Sequence, residues 1–189
     1  MKKLVLYGDS NTYGYDAADF LGSRFSPDVR WAGIVAAKLE KEYDVIEAGM
    51  NGRMIPDRGH LLVREMIGKL SAGDTLVIML GTNDILLTTR PNHMKATAKM
   101  RTLLSSFKEK RPPFRIIVIG PVPSDVDGYH DECIAMNKGF EKICGELGFD
   151  FVDAAGWGIE LAVDGAHFTE GGHRVFAARF LEYLKNTEK

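Results

Sequence analysis

Cysteine is nearly absent from the chain: Cys133 and Cys144 are the only two in 189 residues. They fall inside one helical pattern and offer neither a metal-binding spacing nor a disulfide framework, so reduced thiols in a cytoplasmic protein are the expectation. An excess of charge of either sign is missing too. The 24 Lys+Arg and 26 Asp+Glu leave a formal net charge of −2, which gives no bulk attraction to nucleic acid or to an anionic membrane surface and leaves a small molecule as the expected partner. No apolar run approaches the ~20 residues of a membrane-spanning helix. The apolar start at Leu4-Val5-Leu6-Tyr7 stops at Gly8-Asp9, too early for a secretory signal. No membrane insertion and a cytoplasmic location are therefore expected. Seven prolines and 20 glycines fall well short of a collagen or a linker, and no internal repeat or low-complexity tract is visible.

What is present is a globular composition, 45% hydrophobic and 26% charged, with length for one domain, residues 1–189, to bury a core unaided. Strands are predicted at Lys3–Tyr7, Asp44–Ala48, Thr75–Leu80, Arg115–Ile119 and Phe149–Val152, several nearly all apolar, as strands covered on both faces are. Between them, Trp31, Ile34, Val35 and Leu39 follow helical spacing. So do Ala96, Met100, Leu103, Leu104 and Phe107, then Met136, Phe140, Ile143, Cys144 and Leu147, and at the end Phe176, Phe180 and Leu184. Leu62, Met66 and Leu70 suggest a further helix. Ser26-Pro27 fits an N-cap with proline at the first helical position, and Thr169-Glu170 a cap followed by an acid. The order βαβαβαβαβα implies a mainly parallel sheet with right-handed crossovers and helices on both faces.

Ligands of such a sheet bind beyond the carboxyl ends of its strands. There the chain carries Gly8-Asp9-Ser10-Asn11-Thr12, Gly49-Met50-Asn51-Gly52-Arg53, Gly81-Thr82-Asn83-Asp84 and Asp164-Gly165-Ala166-His167. Ser10 follows a strand and a glycine, where a hydroxyl can project from a tight turn. A serine needs a base to be a nucleophile, and the imidazole of His167 suits neutral pH. The base needs an acceptor to fix its tautomer, and Asp164 stands one turn before it. An oxyanion would find donors in the Gly52 N–H, the Asn83 amide and the N–H of Ser10. Each piece has a plainer use: Gly8-Asp9-Ser10 as a capping turn, Asp164 to His167 as a surface turn, Gly52 as a positive-φ residue, Asn83-Asp84 as a helix cap. Four unconnected turns at one rim would have to supply all these parts by chance.

Gly8-Asp9-Ser10, Gly52, Gly81-Thr82-Asn83-Asp84 and Asp164-x-x-His167, in that order over nearly the whole chain, resemble the SGNH hydrolases, the GDSL-type esterase and lipase superfamily. The stretches Arg24 to Trp31, Val45 to Gly49 and Val77 to Asp84 most resemble its bacterial arylesterase/acyltransferase branch. The resemblance implies a three-layer α/β/α sandwich with a five-stranded, flavodoxin-like sheet. It also implies a serine-dependent hydrolase of carboxylic esters, possible acyl transfer to alcohols, and no cofactor. Ser10, His167 and Asp164 would be catalytic, and Ser10, Gly52 and Asn83 would donate to the oxyanion. A carbohydrate O-acetylesterase, a lysophospholipase or thioesterase, and a non-catalytic binding module on the same fold are the alternatives.

Asn11 stands where the family motif commonly has Leu and puts a polar group beside the nucleophile. Tyr13, Tyr15, Phe20 and Phe25 follow it, Ile85 follows Asn83-Asp84, and Trp157 precedes Asp164. Asn11, Tyr13, Ile85 and Trp157 are thus expected at the substrate, while the apolar loop residues also fit an interface in a homo-oligomer. The lack of a long lid-like insertion points to an open site and short acyl chains. His60, His93, His130 and His173 read as solvent-facing, and no metal site is expected, since His130-Asp131-Glu132 has no second ligand cluster beside it.

Overall fold

A computed structural model describes residues 1–19, 21–57, 59–88 and 92–187; Phe20 lies outside the described residues. Five strands, β1 (Lys2–Gly8), β2 (Tyr43–Gly49), β3 (Thr75–Met79), β4 (Arg115–Gly120) and β5 (Asp150–Asp153), form one parallel sheet in the order β2-β1-β3-β4-β5. Each lies within a residue of its predicted bounds. The helices are α1 (Ser10–Tyr13), α2 (Trp31–Leu39), α3 (Gly59–Lys69), α4 (Thr82–Leu86), α5 (His93–Lys110), α6 (His130–Leu147) and α7 (Glu170–Thr187), with a 3₁₀ turn at Ala155–Trp157. The short α1 and α4 were not predicted, because one turn carries no periodic stripe.

Alternation along the strands divides the core in two. Leu4, Leu6, Val77, Met79, Ile117 and Ile119 face α2 and α7, while Val5, Leu76, Ile78, Ile116 and Val118 face α3, α5 and α6. Strands buried on both faces explain the continuous apolar runs and make the molecule an α/β/α sandwich. No described helix is long and apolar enough to cross a membrane.

The expected cap at Ser26-Pro27 is not one. α2 begins at Trp31 with Arg30 before it and no side-chain cap. The Ser26 carbonyl instead accepts from the N–H groups of Val29 and Arg30 at 3.0 Å each, closing a turn ahead of the helix. Thr169 does cap α7, its Oγ1 accepting from Gly172 N at 3.0 Å.

Register places the site. Gly8 pairs with Gly49 of β2 on one side and Met79 of β3 on the other, so the loops after β1, β2 and β3 leave the sheet at one level. The chain steps from β1 to β2 on one flank and to β3 on the other, which is the switch point where open α/β sheets bind ligands. Gly49 has to be glycine, since a Cβ there would run into the backbone of Thr12 and Tyr13 in α1.

Candidate active site

Asp9 follows β1 and caps α1, its Oδ1 accepting from Asn11 N at 3.0 Å. Gly8-Asp9-Ser10 is therefore the capping turn that its plainer reading describes, and the same turn sets Ser10 at the head of α1 with its hydroxyl toward the far end of the chain. Ser10 Oγ stands 2.8 Å from His167 Nε2, and His167 Nδ1 stands 2.5 Å from Asp164 Oδ2. Asp164 Oδ1 accepts from the N–H groups of Ala166 and His167, both at 3.0 Å. With the Nδ1 proton directed at the carboxylate, Nε2 presents its lone pair to the serine hydroxyl. Burial would raise the Asp164 carboxyl, but the N–H and ring of His167 and the N–H of Ala166 outweigh it and hold the group below the ordinary carboxylate range. The orienting carboxylate stays ionised at neutral pH.

Gly52 lies in the turn after β2 with φ +69°, exposed, and no atom within 4 Å of where a Cβ would stand. Asn83 lies on α4, buried, and its Nδ2 donates to the Arg53 carbonyl at 3.0 Å. One amide hydrogen of Asn83 thus ties α4 to the residue after Gly52, and the other is left to donate. Arg53, which sequence reasoning passed over, fixes this loop. Its guanidinium donates to the Gly8 carbonyl at 2.7 Å and to the Ala48 carbonyl, and it lies 4.1 Å from the Tyr7 ring centroid. A lone cation directly after Gly52, in a rim loop that carries no other charge from Gly49 to Pro56, was the available signal. Farther along, Asp84 Oδ2 accepts from Ile55 N at 2.8 Å, and Lys99 Nζ lies 3.2 Å from Oδ1. Burial still leaves the Asp84 carboxyl raised. Asp84 thus braces the loop that carries Gly52.

Three of the four residues assigned to the substrate are engaged elsewhere, and the fourth is held on the α1 side. Asn11 is buried, its Nδ2 donating to the Ala166 carbonyl and its Oδ1 accepting from Phe168 N, both at 3.0 Å. Ile85 is fully buried in the core, because it falls on the inner face of α4. Trp157 packs edge-on against Phe176 of α7 at 5.0 Å between centroids. Tyr13 is half-buried beneath the Arg24 guanidinium, 4.5 Å from its ring, and its carbonyl accepts from Arg24 Nε at 2.6 Å. The aromatic ring against His167 is Tyr15, at 4.7 Å between centroids.

His173 is not solvent-facing. It is fully buried between the edges of Phe25 and Phe168, with Nδ1 3.4 Å from Trp31 N. Burial, joined by the charges of His167 and Arg30, depresses it to about 4, so it is neutral at working pH. The α7 stripe of Phe176, Phe180 and Leu184, run back one turn, lands on His173; that was the signal. His60 and His130 are exposed, and the His93 ring meets Glu132 at 2.7 Å. Both cysteines are buried, and burial pushes the Cys144 thiol up to about 12. Among the described residues no three His, Cys, Asp or Glu side chains stand together as metal ligands.

Comparison with known proteins bears on the fold. The chain is similar in structure to the M. smegmatis aryl esterase, with a TM-score of 0.80 at 23% identity, covering 100% of both chains. It is similar to a carbohydrate acetylesterase from Sinorhizobium meliloti, with a TM-score of 0.79 at 19% identity, covering 98% of this chain and 100% of that one. It is also similar to the lipase/acylhydrolase from Enterococcus faecalis, with a TM-score of 0.73 at 23% identity, covering 100% of this chain and 98% of that one. No curated protein matches the sequence at a significant level. At these identities the structural neighbours establish the fold. The model of the GDSL-like lipase/acylhydrolase family matches residues 6–175, a span that takes in Ser10, Gly52, Asn83, Asp164 and His167. By that match the chain belongs to the GDSL-like lipase/acylhydrolase family and is an ester hydrolase.

Proposed function

We propose that the protein is a serine esterase acting on small carboxylic esters through an acyl-enzyme. Ser10 Oγ attacks the carbonyl carbon while its proton passes to His167 Nε2, and Asp164 stabilises the imidazolium. The carbonyl oxygen gains negative charge and is met by the N–H groups of Ser10 and Gly52 and by Asn83 Nδ2. Collapse of the tetrahedral intermediate expels the alcohol, which takes the proton from Nε2. Water, activated by the same imidazole, then releases the acid; an alcohol in its place completes acyl transfer. No cofactor enters these steps.

The observation that carries the proposal is the continuous chain from Ser10 Oγ to His167 Nε2 at 2.8 Å and from His167 Nδ1 to Asp164 Oδ2 at 2.5 Å. Short acyl groups, acetyl-type or on aryl alcohols, suit loops as brief as Asp9 alone between β1 and α1 and Leu80-Gly81 between β3 and α4. Ser10→Ala is expected to abolish turnover of p-nitrophenyl acetate and labelling by a fluorophosphonate. Retained turnover would remove Ser10 from the mechanism. A panel of esters graded in acyl length and leaving group, including acetylated sugars, tests the substrate class.

A further inference from the structure

We infer that Asn11 is a positioning residue that sets the distance between nucleophile and base, an inference that rests on the serine esterase reading above. Asp164 and His167 form a local unit. The carboxylate binds the imidazole three residues on and the N–H groups of Ala166 and His167, so it orients the ring within its own turn. Among the described residues, the one hydrogen bond that ties that unit to Ser10 is the catalytic one, and beyond it only the Tyr15 ring bears on His167.

Asn11 supplies the tie. Its side chain grips the peptide groups on both sides of His167, donating to the Ala166 carbonyl and accepting from Phe168 N at 3.0 Å each. Its own backbone is fixed in turn, the N–H donating to Asp9 Oδ1 at 3.0 Å and the carbonyl accepting from Trp31 Nε1 at 3.0 Å. The circuit closes behind the site, where Trp31 N donates to His173 Nδ1 at 3.4 Å and the His173 ring meets Phe168. The residue after the nucleophile and the residues flanking the base are thereby one hydrogen-bonded body. On the opposite side the turn is held by Ser124 Oγ and Asp125 N, which donate to the Gly165 carbonyl at 2.8 and 2.9 Å. Those bonds fix its outer edge, not its separation from Ser10. A leucine at position 11 would remove both bonds to the base loop and leave the Phe168 N–H and the Ala166 carbonyl without these partners.

Asn11→Leu tests this in the full-length protein, with fluorophosphonate labelling as the reactivity readout and the downfield proton resonance of the Asp164–His167 hydrogen bond as the structural one. A misplaced near-attack geometry costs on the order of 10²-fold. The expected result is a labelling rate and kcat lowered about 10²-fold, with KM little changed and the downfield resonance retained. A wild-type labelling rate overturns the inference. Loss of the resonance together with reactivity overturns it also, since that marks general disruption. Should Asn11→Leu fail to fold, the near-isosteric Asn11→Asp keeps the acceptor for Phe168 N but loses the donor to Ala166. It is expected to label at an intermediate rate, and an undiminished rate overturns the inference. If the wild type itself is not labelled, the serine reading has failed instead, and the two failures are told apart.

Discussion

Asp9 and Asp74 sit at opposite ends of the same sheet, both nearly closed to solvent, yet their carboxyls are driven in opposite directions. Asp74, at the amino ends of the strands, feels burial as an upward push. The N–H groups of Lys3 and Ser71 at 2.7 and 2.8 Å, the Lys3 charge and the chain's amino terminus override it, and its carboxyl is held below the ordinary value. Asp9, at the carboxyl ends, has the Asn11 N–H as its strong donor, and burial raises it from 3.8 to about 6. The amino end of the sheet spends its polar groups on closing turns. The carboxyl end leaves the Asp9 carboxyl raised beside the site, in keeping with the gathering of perturbed titrating groups at functional sites.

The sharpest break in that comparison is expected at Asn83. Its replacement by Ala should lower kcat on the order of 10²–10³-fold, about 2.7–4 kcal/mol of transition-state stabilisation, if its amide meets the oxyanion. Steady-state kinetics check this, and a loss below tenfold would strip Asn83 of the role.

Asp9→Asn comes next. A carboxyl whose folded value is raised favours the fold below its unfolded value of 3.8, and that advantage is lost as pH rises through about 6. The shift corresponds to roughly 2–3 kcal/mol at most. Urea midpoints at pH 4, 5, 6 and 7 should show the wild type losing ground against Asp9→Asn across that window; parallel curves would mean that Asp9 is not held protonated. Asp74 carries the opposite sign, its contribution present above 3.8 and lost as pH falls through its lowered folded value.

Asp74→Asn puts an amide NH₂ against one of the two N–H donors that the carboxylate accepts from. It should cost about 1–3 kcal/mol of stability with kcat unchanged, read by denaturant unfolding beside activity per folded molecule. Smallest of all is Arg115, whose Nε lies 2.6 Å from Asp150 Oδ2 in a partly exposed, screened pair. Loss of that pair, measured as the coupling energy between Arg115→Met and Asp150→Asn in a double-mutant cycle, should cost under about 1 kcal/mol.

Much of this was legible in the sequence because it is written locally. The apolar runs gave the five strands within a residue, and the polar loops marked Ser10, His167 and Asp164, which stand in hydrogen-bonding reach of one another in series. What stayed hidden depends on partners far along the chain. Asn11 reaches residues 155 and 157 positions away, and a polar side chain beside a nucleophile looks the same whether it faces a ligand or a peptide group. Ile85 was misplaced because α4, only five residues long, has no stripe to show which face is inner. Ser26-Pro27 has cap chemistry, but the helix starts where Trp31 can enter the core.

Trp31 is fully buried and donates its indole N–H to the Asn11 carbonyl. The molecule therefore carries an optical probe wired to the helix that begins at Ser10. A substitution that slackens that contact is expected to alter the emission of a chromophore shielded from water, so intrinsic fluorescence reports on the seating of α1 without an added dye.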